Sequence, residues 1–79
     1  MTNIEKYNSI FTEVFGEDAA NLGPDFSKEK VPAWDSVHQL NLVSLAEDLF
    51  DIMLDPEDIM AFTSYSNGLD IIKKQGVDF

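Results

Sequence analysis

Apolar residues recur along the chain at helical spacing, and no stretch alternates as a half-buried strand would. Ile4, Tyr7, Phe11 and Val14 fall on one stripe, with Ile10 and Phe15 beside it. Thr2 and Glu5 have the spacing of a capping box and Gly16 suits a helix C-terminus, so a first helix is predicted over residues 3–15. Residues 17–34 break the period with Gly23, Pro24 and Pro32, and read as a long connection pinned by Leu22, Phe26, Val31 and Trp34. A second helix is predicted over residues 36–51. At about 100° per residue, its Leu42, Val43, Leu45, Ala46, Leu49 and Phe50 fall within an arc of roughly 160° and make a core face. Asp55-Pro56-Glu57-Asp58 opens a short third helix, with an acidic N-cap, proline at the first helical position and acids in the first turn. Ile59, Met60 and Phe62 give that helix its apolar side. The fourth helix starts near Ser64, buries Tyr65, Leu69 and Ile72, and closes with Lys73, Lys74 and Gly76. Gly68 in its middle is expected to weaken it by about 1 kcal/mol relative to alanine. The expected fold is all-α: an antiparallel bundle of three main helices plus one short helix, in one domain over residues 1–79.

Composition narrows the function. A chain of 79 residues buries only about 60% of its unfolded surface, which leaves a thin core and little room for a deep catalytic cleft. With no cysteine there is no disulfide, thiolate zinc site or thiol nucleophile. Fifteen acidic residues against five lysines and no arginine give a formal net charge of −10. That excludes nucleic acid as a partner, since phosphate binding needs clustered Lys and Arg, and it argues against anionic membranes. The N-terminal residues lack a signal-peptide pattern, and no apolar run approaches the roughly 20 residues that span a bilayer. The expectation is a soluble, cytoplasmic monomer.

The acidity is also localised. All five lysines (Lys6, Lys28, Lys30, Lys73, Lys74) lie outside the second helix. Its polar arc carries Asn41, Ser44, Glu47, Asp48 and Asp51, and two apolar residues, Val37 and Leu40, intrude there. Both lie close after Ser36. Asp35 can cap this helix, and Ser36 and Gln39 have the spacing of a capping box; in either case Ser36 sits in the first turn. A helix N-terminus carries unpaired N–H groups and partial positive charge, a favourable field for an anion on the Ser36 hydroxyl. A capping serine alone would account for the position. The acidic arc around an exposed apolar pair is what points to a docking face.

Asp35-Ser36-Val37, followed by an amphipathic helix ending Glu47-Asp48-Leu49-Phe50, resembles the Asp-Ser-Leu signature and second helix of acyl carrier proteins. The resemblance extends over the whole helix order. It implies an acyl-carrier-like bundle and a non-catalytic carrier, with Ser36 as the attachment point of 4'-phosphopantetheine from coenzyme A and Asp35 as its partner during modification. It further implies that Val37, Leu40, Asn41, Ser44, Glu47, Asp48 and Asp51 form the surface read by a phosphopantetheinyl transferase and by acyl-loading ligases or synthases with basic patches. The cargo class would be fatty acyl, polyketide or a related thioester. Ala33 and Trp34 precede the signature where the family often has glycine, and Val37 replaces leucine. His38, Gln39 and Asn41 are neutral where fatty-acid carriers tend to have further acids. A dedicated carrier of a specialised pathway, including an aminoacyl or peptidyl one, fits these departures.

Three other readings bear on the same residues. A hydrolase built on Asp35, Ser36 and His38 is disfavoured, because residues two apart on a helix start point in different directions and no oxyanion-hole motif accompanies them. His38 reads as a first-turn surface or loop-packing residue. The acids over residues 51–58 lack EF-hand spacing, which leaves only weak, non-specific divalent binding. A helical adaptor with no prosthetic group would share every feature except a modified Ser36.

Overall fold

The structure, a computed structural model, describes residues 2–79. Its elements are α1 (Asn3–Phe15), a single 3-10 turn at Ala19–Asn21, α2 (Ser36–Phe50), α3 (Pro56–Ala61) and α4 (Tyr65–Lys74). Among the described residues there is no strand, only one isolated antiparallel bridge between Ser27 and Ser64.

Each helix begins where a side chain satisfies its free N–H groups. Thr2 Oγ1 accepts the Glu5 N–H at 3.2 Å, and Glu5 Oε1 accepts the Thr2 N–H at 2.9 Å, completing the expected box. The Thr2 backbone N–H, and then the Thr2 side chain, hold the Glu5 carboxyl below its ordinary value. Asp55 caps α3 through the Asp58 N–H, and Ser64 caps α4 through the Asn67 N–H. Gly16 closes α1 at φ 66°, a left-handed conformation that glycine adopts without strain. For α2 the cap is Asp35, and the Ser36–Gln39 box does not form. Gln39 is buried instead, and its Nε2 donates to the Ile59 carbonyl at 2.6 Å.

α1 runs antiparallel to both α2 and α4. Its last residue, Phe15, stacks on His38 near the start of α2 (centroids 5.4 Å apart), while Ser9 near its middle shares a surface groove with Leu49 near the end of α2. Against α4, the Tyr7 hydroxyl donates to the Tyr65 carbonyl, the Tyr65 hydroxyl donates to Asn8 Oδ1, and Asn3 Nδ2 donates to the Asp78 carbonyl at 2.8 Å. The core is one cluster in which Tyr7, Ile10, Phe11, Leu42, Phe62 and Ile72 are fully buried. Burial of side chains this size contributes about 1.5–3 kcal/mol each, which is what orders a chain with so few residues to spare.

Four expectations about packing need correction. Met60 is 77% exposed, because α3 turns Ile59, Phe62 and the buried Asp58 inward. Leu49, expected within the apolar arc, is 40% exposed. Tyr65 and Leu69 are only half-buried, and Ile71 joins Ile72 in the core. Gly68 is not merely a weak point. A Cβ there would fall 2.5 Å from the Tyr7 hydroxyl and 2.6 Å from Phe62 Cε1, so α4 approaches this closely only with a bare backbone.

Candidate functional site

The long connection delivers Ser36 to a fixed place. Phe26 and Trp34 are buried among Phe11 and Phe15, with Phe11 edge-on to Phe26 and the Trp34 ring 5.4 Å from Phe15. Leu22 and Val31 pack half-buried against the same cluster, so all four expected pins are engaged. The Trp34 indole nitrogen is buried without a hydrogen-bond partner among the described residues. With Trp34 anchored, the next two residues lie at the rim of the bundle, and both are exposed.

Asp35 and His38 make a small polar cluster there. Asp35 Oδ1 accepts the His38 N–H at 2.9 Å and pairs with His38 Nδ1 at 2.7 Å. The His38 backbone N–H and then its ring hold the Asp35 carboxyl below the usual carboxylate range. Phe15 lies nearly parallel to the His38 ring, at 11°, and fixes its orientation. The imidazole is therefore engaged by Asp35 and Phe15, and the cluster is a helix cap. Ser36 is the first residue of α2 and leaves its hydroxyl at the positive end of that helix.

Beside Ser36 runs an open groove of about 320 Å³ between α2 and α3. Ser36, Gln39 and Leu40 form one wall, Ile59 and Met60 the other, and Lys28 from the connection stands at its edge. The Gln39–Ile59 hydrogen bond ties the two walls together. Sequence periodicity offered no means of finding this groove, because Lys28 and Met60 come from segments far from the signature. Met60 is 77% exposed at this groove, and Met53, 84% exposed, is a second uncovered methionine.

The expected docking residues fall into two groups. Val37 and Leu40 are 65% and 59% exposed, and Asn41, Ser44 and Asp48 also face outward. Glu47 is half-buried, and its Oε2 accepts the Leu54 N–H at 2.9 Å, which fastens the turn after α2. Asp51 is exposed but serves as the left-handed C-cap of α2, at φ 53°. Of the three acids, Asp48 alone has no such duty in the fold.

Among the described residues no three acidic or histidine side chains converge as a metal ion would require, so the acids over residues 51–58 are spread rather than gathered. Asp58, one of them, pairs with Lys74 at 2.7 Å. No helix among the described residues is long and apolar enough to cross a membrane. The chain matches no protein-family model, no curated protein and no solved structure.

Proposed function

We propose that the chain is an acyl carrier protein, a cytoplasmic and monomeric carrier with an acyl-carrier-like bundle and no catalysis of its own. The observation that carries the reading is Ser36: an exposed hydroxyl at the first turn of α2, next to a capping carboxylate and on the wall of a groove that is apolar on its far side. Such a site fits a phosphopantetheine arm. The hydroxyl is reachable, the helix start favours a phosphodiester, and Leu40, Ile59 and Met60 offer apolar surface beside it. When attached, the arm supplies a terminal thiol that holds an acyl group as a thioester.

In the attachment step Ser36 Oγ forms a bond to the β-phosphorus of coenzyme A. The bond from that phosphorus to the bridging pyrophosphate oxygen breaks, adenosine 3',5'-bisphosphate departs, and the hydroxyl proton passes to a base on the transferase. Val37, Leu40 and Asp48 would meet the transferase and the loading ligase or synthase, with the acids steering a basic patch.

Incubation with coenzyme A and a broad-specificity phosphopantetheinyl transferase tests the reading by intact mass. The wild type should gain one arm. Ser36→Ala should stay folded, since its hydroxyl takes no part in the cap, and gain none. Modification of that variant at another serine, or no modification of the wild type, overturns it.

A further inference from the structure

Lys30 lies 3.5 Å from Asp25 and Lys74 lies 2.7 Å from Asp58, whereas Lys6, Lys28 and Lys73 make no ion pair among the described residues. Of these three, Lys28 alone lines the groove beside Ser36, and it is exposed. Its backbone is nonetheless held firmly. The Lys28 N–H donates to the Thr63 carbonyl at 2.8 Å, the Tyr65 N–H donates to the Phe26 carbonyl at 2.8 Å, and Ser27 bridges Ser64 between them. This pairing fixes residue 28 against the α3–α4 link, so that its side chain borders the groove that Ser36 borders too. No other lysine lines that groove.

The electrostatics make the placement consequential. A phosphodiester on Ser36 would put a second negative charge one residue from Asp35, in a chain whose net charge is already −10. The helix start faces both anions, and the His38 ring is already paired with Asp35 at 2.7 Å. A lysine bordering the same groove offsets the remaining repulsion, and Lys28 is the only lysine that lines it.

We propose that Lys28 is a phosphate-binding residue of this site, pairing with the phosphodiester formed on Ser36 and drawing the attached arm across the groove over Leu40, Ile59 and Met60. The inference rests on the carrier reading above and adds to it a particular counter-charge and a direction for the arm. The apolar surfaces of the groove suit the dimethyl and methylene parts of the arm, and the single charge at the edge suits its one phosphate. An arm held in this way leaves its docked position when a partner supplies a competing basic patch, or when salt screens the pair.

Holo protein, first verified by intact mass, is compared by phosphorus NMR as wild type, Lys28→Gln, Lys28→Arg and Lys30→Gln. Amide spectra of the unmodified variants establish that each retains the fold, as substitution of an exposed side chain should allow. The phosphorus resonance should move in Lys28→Gln, return close to its wild-type position in Lys28→Arg, and ignore Lys30→Gln. Raising salt to about 0.5 M, where the Debye length falls well below 10 Å, should carry the wild-type resonance toward that of Lys28→Gln. Proton contacts between the Lys28 side chain and the arm's methyl groups should appear in the wild type and vanish in Lys28→Gln. A resonance indifferent to Lys28→Gln, or displaced equally by Lys30→Gln, overturns the inference and leaves the carrier reading intact. Failure of the wild type to gain mass removes both, so the two failures are told apart at the first step.

Discussion

Replacing Gly68 by alanine sets helix propensity against packing, and the structure supplies the size of each. In an exposed helix the change would stabilise by about 1 kcal/mol. Here the glycine is buried, and the new Cβ would lie 2.5 Å from the Tyr7 hydroxyl and 2.6 Å from Phe62 Cε1. Both rings are fully buried, so neither can swing aside into solvent. Overpacking of this kind costs about 1–3 kcal/mol. Pushing Tyr7 away also strains its hydrogen bond to the Tyr65 carbonyl, worth about 1 kcal/mol. The net expectation is a loss of about 1–3 kcal/mol. A domain of this size holds only about 4–12 kcal/mol in total, at 0.05–0.15 kcal/mol per residue. Urea unfolding followed by Trp34 fluorescence and by far-UV circular dichroism should show the midpoint falling by roughly 0.5–3 M, for a slope of 1–2 kcal/mol/M. Tyr7→Phe tests the cause, because it removes one of the opposing atoms: it should cost less in the Gly68→Ala background than alone. A Gly68→Ala midpoint equal to or above that of wild type would show that α4 shifts freely, and the close-approach argument would fail.

The remaining predictions concern charge. Asp48→Lys should slow association with the transferase, in a salt-dependent way, without lowering the unfolding midpoint. Glu47→Ala should lower stability by about 1–2 kcal/mol whatever it does to partners, because the Leu54 N–H loses its acceptor. Burial pushes the Tyr7 phenol up, with Tyr65 and Asp70 adding to the effect. Its folded value lies above its unfolded one, so the stability it confers is intact below about pH 10 and declines as pH rises further. Wild type should therefore lose more urea resistance than Tyr7→Phe between about pH 9 and 11, and parallel curves would refute the assignment. Added salt should raise the melting temperature by screening a net charge of −10. Magnesium at equal ionic strength should do little more, since no acids converge on a site among the described residues. A much larger magnesium effect would mean that the acids over residues 51–58 gather in solution.

The helices and their starts were legible in the sequence because their causes are local. Thr2 with Glu5, Asp55 with Pro56, and Ser64 before Tyr65 each satisfy backbone donors within one turn, and the turn closes wherever the rest of the chain lies. The exposure of Val37 and Leu40 followed from helical geometry in the same way. What depends on a second segment was not legible. Gly68 reads as a defect until Tyr7 and Phe62 are seen against it. Glu47 reads as a free surface acid until the chain turns back and brings the Leu54 N–H to it. Gln39 reads as half of a capping box until α3 offers the Ile59 carbonyl. Lys28 comes to the groove of Ser36 only because residues 26–28 pair with residues 63–65. The one-dimensional pattern determines which face of each helix is apolar and where each helix begins. Which polar side chains remain free to meet a partner is decided by long-range contacts, because a buried donor or acceptor takes whatever complement the tertiary fold brings within reach.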